Sequence, residues 1–316
     1  MRGSDRVELF HLKRDIPFMR FARSTIFFSV FFIVASIVLL ATKGLNLGVD
    51  FTGGTVMEVS YPQPADVNAI REHLAKAGYP EVSVQNFGTS RDVLVRLPVK
   101  AGVTSAQLSE TVMVALKQRD PTVLLKRVEF VGPQVGNELF EDGALALVVV
   151  SIGIMLYLAL RFEWRFAVGA MFATAHDIFI VLGVWSLFQW EFSLTVLAAV
   201  LAILGYSVND TVVVFDRIRE NFKKTRSNNV AAIMDNAKTA TLSRTIITSG
   251  TTQLMVLAML FLGGEVLYGF ALALTIGIVV GTYSSVLVAS PIVMWLGVSR
   301  EDFVKKAAKP EAGAMV

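Results

Sequence analysis

The chain has 316 residues, of which 54% are hydrophobic and only 17% are charged. Soluble domains average roughly 25% charged residues, so this composition and a mean hydropathy of +0.59 argue against a wholly soluble protein and exclude disorder over most of the chain. The sequence contains no cysteine, which excludes disulfides, a thiolate nucleophile and cysteine-ligated metal centres. The isoelectric point near 9.1 is compatible with nucleic-acid binding until the basic residues are placed along the chain.

Six segments are apolar over the roughly 20 residues that a membrane-spanning helix needs. We place these spans, in chain order, at residues 24–42, 143–160, 166–188, 192–215, 244–264 and 268–296. The first is longer than the apolar core of a signal peptide and no clear cleavage site follows it, so we interpret it as a retained helix. The last belongs to an uncharged run that is longer than one helix needs, which indicates a tilted or a broken helix.

The positions of Lys and Arg predict how these spans are oriented. Of the 29 basic residues, 19 lie in the N-terminal segment 1–23, the link after the second span, the loop 216–243 with Arg244, and the tail 297–316. Short cytoplasmic flanks are enriched in Lys and Arg, so both termini are predicted to be cytoplasmic. The basic charge is therefore a topology signal, and it argues against nucleic-acid binding.

The loop 216–243 is basic and partly amphipathic, because Ala231, Met234 and Ala237 fall on one helical face. We interpret this segment as a solvated face. The alternatives are a helix that lies along the cytoplasmic membrane surface in contact with lipid and a surface for a cytoplasmic partner.

Residues 43–142, between the first two spans, are predicted to form a folded domain on the side opposite the termini. Strand and helix patterns alternate in the order β-α-β-β-α-β, at residues 55–61, 66–77, 82–86, 92–97, 104–118 and 124–131. This order is typical of a ferredoxin-like fold, an antiparallel sheet with both helices on one face. The predicted fold class is therefore a polytopic α-helical membrane protein with six spans and one α+β ferredoxin-like domain between the first two.

The chain lacks the motifs of common catalytic and nucleotide-binding sites. There is no P-loop, and His11, His73 and His176 fall in three different compartments, which argues against a histidine metal cluster. The domain at 43–142 contains no constellation of catalytic groups, so we expect a binding or mechanical role without enzyme activity, metal or cofactor. Energy for any active process would then come from a partner or an ion gradient.

Two carboxylates fall within the predicted spans, where ionisable residues are costly and usually functional. At a rise of ~1.5 Å per residue, Asp177 lies about 18 Å along the third span from Arg165. Asp210 lies about 9 Å along the fourth span from Asp216, which marks its cytoplasmic end. Arg244, at the start of the fifth span, is at a similar depth to Asp210 if the two helices touch. Burial favours the protonated acid and a nearby Arg favours the carboxylate, so Asp210 is a candidate proton-binding group. The alternative is a static ion pair that fixes helix packing.

Asp177 directly follows His176, so the two side chains are expected to point to different helix faces, and either one is a candidate structural hydrogen-bonder. In the fifth span, Ser249, Thr251 and Thr252 belong to a run of six small or polar residues. We interpret these residues as lining a water path or hydrogen-bonding neighbouring helices. The G-x-x-x-G spacing at 277–281 in the sixth span favours close helix contact.

Short motifs occur in a fixed order along the chain, at residues 50–55 (DFTGGT), 85–88 (QNFG), 131–133 (VGP), 161–165 (RFEWR), 175–177 (AHD), 205–211 (GYSVNDT), 214–221 (VFDRIREN), 242–245 (LSRT) and 248–252 (TSGTT). This series resembles the SecF branch of the bacterial SecD/SecF protein-export family, within the resistance–nodulation–division superfamily. The resemblance extends from about residue 18 to residue 300.

The resemblance implies partners, an energy source and roles for particular residues. SecF-type proteins pair with SecD, each contributing six helices and a periplasmic domain, and they associate with the SecYEG channel and YajC. They use the proton-motive force to help pull precursor proteins across the inner membrane after SecA has driven them in. An aspartate of the fourth SecF span and the arginine that opens the fifth are implicated in proton passage, with an aspartate from SecD. These positions are Asp210 and Arg244 here; Asp177 is a further candidate for the path, and Asn209 for a packing or water-path role.

Two other functions remain open at this point. One is half of a proton-coupled small-molecule or lipid exporter of the same superfamily, although such exporters usually carry both halves and larger exported domains in one chain. The other is a non-transporting membrane scaffold, in which case Asp210 should tolerate isosteric neutralisation. Six spans and one exported domain indicate a missing partner half under either transport function.

Overall fold

The computed structural model describes residues 14–99, 102–227 and 229–303. The rest of the predicted N-terminal segment 1–23 and tail 297–316, with His11 and six of the basic residues used to assign the orientation, lies outside the described residues. The chain begins with helix α1 (Ala22–Thr42), preceded by a 3-10 turn at Phe18–Phe21. Helix α1 leads through strand β1 (Asn46–Leu47) into the one-turn helix α2 (Val49–Thr52).

An α/β domain follows α2. Its elements are β2 (Gly54–Ser60), α3 (Val67–Lys76), β3 (Ser83–Phe87), β4 (Thr89–Leu97), α4 (Ser105–Arg119) and β5 (Leu124–Val131). The sheet order is β3-β4-β2-β5 and every neighbouring pair is antiparallel. The predicted β-α-β-β-α-β succession is therefore confirmed, and the strand order is that of a ferredoxin-like sheet.

Both helices of this domain begin at a capping residue that the sequence supplies. The Oδ1 of Asp66 accepts hydrogen bonds from the backbone N–H groups of Asn68 and Ala69, each at 3.1 Å. Thr104 and Gln107 form the capping box at the start of α4. The helices cover one face of the sheet with a core of apolar side chains that includes Met57, Leu74, Val93, Val95, Val112 and Leu116.

The rest of the described chain is largely helical. It contains α5 (Pro133–Arg161), α6 (Trp164–Phe188), the short strand β6 (Glu191–Phe192), α7 (Leu194–Lys224), α8 (Val230–Leu262), α9 (Glu265–Leu287) and α10 (Ala289–Trp295). Together with α1, the described residues form six segments that are long and apolar enough to cross a membrane, the last one made of α9 and α10. The six predicted spans are therefore confirmed.

The predicted loop 216–243 differs most from the structure. Helix α7 continues to Lys224 and α8 begins at Val230, so only residues 225–229 lie between the two helices. The interpretation of a solvated or membrane-surface segment is wrong, because the apolar face of this segment is buried inside the bundle. One buried cluster includes Phe215, Ile218, Phe222, Ile233, Met234 and Ala237.

Helix α5 also begins earlier than its predicted span, at Pro133 instead of residue 143. Glu138, Glu141 and Asp142 lower the hydropathy of its first turns, but they do not interrupt the helix. Proline at the first helical position is favoured, because its missing N–H would have no intrahelical partner there.

Of the two interpretations of the long last span, a tilted or a broken helix, the structure shows the broken one. Helix α9 ends at Leu287, and α10 resumes at Ala289 after one residue outside the regular geometry, Val288. Pro291 explains the interruption, since it has no N–H to donate to the carbonyl of Leu287 and its ring crowds that carbonyl.

Helices α7 and α9 pack closely in the interior of the bundle. The backbone of Gly277 lies against the side chain of Ile203, and there is no room there for a Cβ atom. A Cβ atom added to Gly281 would lie 3.3 Å from the Cβ of Ser207. The predicted close contact at 277–281 is therefore confirmed. Helices α1 and α5 expose many of their large apolar side chains and form part of the outer surface of the bundle.

The α/β domain is fixed to one end of the bundle by polar contacts. Strand β1 pairs in parallel with β6, and Asp50 Oδ2 accepts a hydrogen bond from the backbone N–H of Leu194 at 2.8 Å. Arg96 on β4 forms an ion pair with Glu191 on β6. Burial lowers the pKa of Arg96 to about 10, so its guanidinium stays charged at neutral pH. The attraction to Glu191 then offsets part of its desolvation cost.

The closest backbone approach at this junction predicts an effect on stability. A Cβ at Gly136, in the first turn of α5, would lie 2.9 Å from the carbonyl oxygen of Phe51 and from the amide nitrogen of Gly53. We expect Gly136→Ala to lower the free energy of unfolding by about 1–3 kcal/mol, the usual cost of overpacking. Gly153→Ala on the same helix is the control, since nothing lies within 4 Å of a Cβ there. Thermal unfolding of the two full-length variants in detergent checks this, and equal midpoints would contradict it.

Candidate functional site

Asp210 lies on α7 inside the bundle, with 3% of its surface exposed. Its Oδ2 accepts a hydrogen bond from the Oγ of Ser249 on α8, at 3.3 Å. The Oγ of Ser249 in turn accepts one from the Oγ1 of Thr282 on α9, at 2.9 Å. Three helices thus meet at one carboxylate through a chain of two hydroxyl groups.

Asp177, on α6, is the second buried carboxylate, with 1% exposure. Its Oδ2 accepts hydrogen bonds from the Oγ of Ser207 on α7 at 2.5 Å and from the Oγ of Ser284 on α9 at 2.8 Å. Its Oδ1 lies 2.9 Å from the Nδ1 of His176. The expectation that His176 and Asp177 point to different helix faces is therefore wrong, because their side chains bond to each other.

The hydrogen-bonded clusters of Asp177 and Asp210 both include side chains from α7 and α9. Ser207, which bonds Asp177, precedes Asp210 by one turn of α7. On α9, Thr282 belongs to the Asp210 cluster and Ser284 to the Asp177 cluster. Any change in how α7 packs against α9 therefore alters the donors available to both carboxylates.

Arg244 is exposed on the outer side of α8. Within the part of the chain that the structure describes, its charge acts on Asp210 without an ion pair between them. The expected contact between the two helices is present, through Ser249, but the arginine does not take part in it. Thr251, seven residues further on, is exposed and shares the outer face of α8 with Arg244. The side chain of Thr248, between them, is half-buried and interacts with the Asp210 carboxylate.

The remaining candidates have simpler surroundings. Thr251 is exposed, and its Oγ1 donates to the carbonyl of Ile247 at 2.8 Å. Thr252 is half-buried and donates in the same way to the carbonyl of Thr248, at 2.8 Å. Asn209 is exposed on α7. The structure thus brings Ser249 to Asp210 and leaves Arg244, Thr251 and Asn209 on outer faces.

Four participants in these clusters were missed by the sequence analysis as partners of the carboxylates. They are His176, Ser207, Thr282 and Ser284. A signal was present for Ser207, which lies one turn before Asp210 and therefore on the same side of α7. Thr282 and Ser284 carry no such signal, because isolated hydroxyl residues are common in spanning helices and usually bond their own backbone.

Fold and site together define a polytopic membrane protein with two hydrogen-bonded carboxylates buried between its spanning helices. Residues 111–299 match the family described as "Protein export membrane protein SecD/SecF, C-terminal", and residues 38–65 match the "SecD/SecF GG Motif". The chain belongs to the SecD/SecF family of protein-export membrane proteins, and within it to the SecF branch.

Similar proteins cover nearly the whole chain. "Protein translocase subunit SecF" of Vibrio alginolyticus is 48% identical over 305 residues, which is 96% of this chain and 97% of that protein. The protein of the same name from Calditerrivibrio nitroreducens is 47% identical over 291 residues, 91% of this chain and 96% of that protein.

Two solved structures have the same fold over most of the chain. The crystal structure of SecDF from Thermus thermophilus, described as a translocon-associated membrane protein, matches with a TM-score of 0.83 and 38% identity. SecDF in a "Super-membrane-facing form" matches with a TM-score of 0.67 and 37% identity. Each match covers 91% of this chain and only 39% of the SecDF chain, so the present chain corresponds to well under half of those proteins.

The hydroxyl donors to Asp177 predict a second effect on stability. Ser284→Ala removes one of them from a buried carboxylate, and we expect the free energy of unfolding to fall by about 1–3 kcal/mol, the usual cost of an unsatisfied buried polar group. Ser290→Ala is the matched control, because Ser290 on α10 is fully buried and its Oγ has no hydrogen-bond partner in the described part of the chain. Unfolding midpoints of the two variants measure the difference. If both variants lose the same free energy of unfolding, the loss comes from burial of the serine and not from its bond to Asp177.

Proposed function

We propose that this chain is a SecF-type subunit of the Sec protein-export machinery. It acts with SecD in the bacterial inner membrane and uses the proton-motive force to promote late translocation of precursor proteins. The names of its relatives and its family membership support the export role. The partnership and the energy source rest on the arrangement around Asp210.

The outward position of Arg244 is the observation that carries this proposal. An arginine side chain exposed to lipid within a spanning helix costs at least several kcal/mol. The outer face of α8, with Arg244 and Thr251, is therefore expected to be covered by protein in the working assembly. SecDF chains are more than twice as long as this one, and a SecD subunit would supply the helices that cover this face.

Asp210 is the proton-binding group in this proposal. A proton that crosses 100 mV releases about 2.3 kcal/mol. Arrival of a proton removes the charge of Asp210 and reduces its need for the donor Ser249. Approach of Arg244 favours release, because a guanidinium stabilises the ionised carboxylate. Asp177 belongs to the same proton path in this proposal, because it accepts a hydrogen bond from the hydroxyl of Ser207 on α7.

Helix α7 offers a route from proton binding to the α/β domain. Asp210 lies 16 residues along α7 from Leu194, about 24 Å at the usual helical rise, and the N–H of Leu194 bonds Asp50 at the base of the domain. A shift of α7 along or around its axis therefore reaches the domain through that bond and through β6. In this proposal the domain is periplasmic and moves while it holds the emerging precursor.

The remaining parts of the proposal follow from topology and composition. Both termini are cytoplasmic, because Lys and Arg are concentrated on their side. The SecYEG channel, YajC, the precursor and membrane lipid are the expected partners. The proton gradient takes the place of a cofactor, and no enzyme activity or nucleic-acid binding is proposed.

Neutralisation of Asp210 tests the proton-coupled role. In cells depleted of their own SecF and complemented with this chain, we expect Asp210→Asn to abolish the stimulation of precursor export, because the amide cannot carry a proton. Asp216→Asn is the matched control on the same helix. Its carboxylate is exposed and pairs with Arg161 at 2.8 Å, and such surface pairs contribute about 0–1 kcal/mol. Pulse-chase export of a secreted precursor, at equal membrane levels, measures the effect.

The other outcomes of this assay assign the chain differently. If Asp210→Asn restores export as well as the wild-type chain does, Asp210 is structural and the proton-coupled mechanism fails. If the wild-type chain itself fails despite assembly with SecD, the export role fails, and a small-molecule or lipid exporter becomes the leading function.

Cysteine labelling tests the proposed SecD contact, and the chain has no native cysteine to interfere. We expect Thr251→Cys to be shielded from a membrane-permeant maleimide when the chain is co-expressed with its SecD, and to react when the chain is expressed alone. Leu156→Cys, on the outer face of α5, should react equally in both cases. Equal reactivity of Thr251→Cys with and without SecD would place the contact elsewhere.

A further inference from the structure

His176 is a buried titratable group that the proposed proton path does not use. It is 1% exposed, and its ring stacks on that of Tyr283 with centroids 6.1 Å apart. Its Nδ1 bonds Asp177, while its Nε2 has no hydrogen-bond partner among the described residues. Histidine exchanges a proton near neutral pH, unlike the hydroxyl groups around it.

Five helices of the described chain pack against α6, and three of them contribute polar groups near His176 and Asp177. Helix α7 contributes Ser207, with Asp210 one turn further on, and α9 contributes Ser284 and Tyr283. Helix α1 contacts the Tyr283 hydroxyl, which donates to the carbonyl of Thr25 at 3.0 Å and lies 3.3 Å from the Oγ of Ser29. Helix α5 bears charges only near its ends, and α10 bears none. Among the described residues, no Lys or Arg pairs with Asp177.

His176 is therefore the group that can neutralise Asp177. With one proton on the pair, the net charge is zero whether the proton resides on Asp177 Oδ1 or on the ring, and a neutral pair is the least costly state to bury. Loss of that proton leaves a carboxylate held by two serine hydroxyls and a neutral imidazole. Gain of a second proton leaves a buried imidazolium beside a neutral acid.

The charge of Asp210 affects which of these states is preferred. An ionised Asp210 near Ser207 disfavours a second negative charge and so favours the protonated pair. A protonated Asp210 removes that repulsion, and the pair then releases its proton more readily. Helix α9 supplies Ser284 to Asp177, and it supplies Thr282 to the Ser249 that bonds Asp210. The same movement of α7 against α9 therefore changes the hydrogen bonding of both carboxylates.

We propose that His176 and Asp177 form a second proton-binding site whose occupancy is coupled to that of Asp210 through the α7–α9 interface. This rests on the proposed function in taking Asp210 as the group that binds the transported proton. Asp210 and the His176–Asp177 pair then hold protons in alternation, and the pair is neutral while it holds its proton.

Ring-nitrogen NMR of isotope-labelled histidine tests this directly, because the chain contains only three histidines. The full chain is reconstituted in lipid nanodiscs, and the His176 signal is identified by its loss in His176→Gln. As the pH is raised, we expect the His176 ring to lose a proton or to change its neutral tautomer. In Asp210→Asn, which mimics protonated Asp210, we expect the midpoint of this change to fall, because a negative charge near the pair has been removed.

The controls separate coupling from misfolding. Asp216→Asn should leave the midpoint unchanged. The signal of His73, whose Nε2 lies 2.8 Å from the carbonyl oxygen of Ala115 in the α/β domain, should be the same in all variants. A His176 ring that keeps one neutral tautomer over the whole range would overturn the proposal, since a purely structural histidine behaves in that way. An unchanged midpoint in Asp210→Asn would overturn the coupling.

The export assay distinguishes this failure from that of the proposed function. If Asp210→Asn loses export but His176 does not titrate, the second site is excluded and the proton-coupled role stands. If Asp210→Asn supports export, the proposed mechanism fails whatever the histidine spectrum shows.

Discussion

Burial of two carboxylates between spanning helices is the constraint on which the rest of this structure depends. In a bilayer an unpaired carboxylate has no water to bind, so its hydrogen bonds must come from the protein. Asp177 obtains two serine hydroxyls and the ring of His176 at 2.5–2.9 Å, whereas Asp210 accepts a longer bond from Ser249, at 3.3 Å, and also interacts with Thr248. Asp177 is thus the more tightly bonded of the two. In the proposed function, Asp210 is the one whose proton occupancy is more easily changed.

The glycines of α9 make this arrangement possible. Gly277 lets Ile203 of α7 approach the α9 backbone, and Gly281 leaves room for Ser207 beside Asp177. With larger residues there, the helices would separate and the short hydroxyl side chains would no longer reach the carboxylates. The hydrogen bonds to the carboxylates therefore require the backbones of α7 and α9 to lie close together. This explains why small residues and buried acids occur together on these helices.

The six spans and the succession of elements in the α/β domain were predictable, because hydropathy and alternation are local properties of the sequence. Asp210 stood out as a charge in an apolar run. The partners of the carboxylates were not predictable, since the bonds of Ser207 and Ser284 to Asp177 depend on helix rotations that periodicity does not determine. The loop 216–243 was misjudged for the same reason: its apolar face is buried by helices distant in sequence, and composition cannot distinguish such a face from one that lies on a membrane.

The positions of Asp210 and Arg244 are best understood as one half of a larger site. Asp210 points into the bundle and Arg244 lies on its outside, so this chain alone does not bring the carboxylate and the guanidinium into an ion pair. A partner that covers the outer face of α8 would desolvate Arg244, and a desolvated guanidinium interacts strongly with the nearest carboxylate. Assembly would then determine whether that carboxylate is Asp210 or one on the partner. In the proposed function, each choice favours a different protonation state of Asp210, so a rearrangement of that interface would load or release its proton.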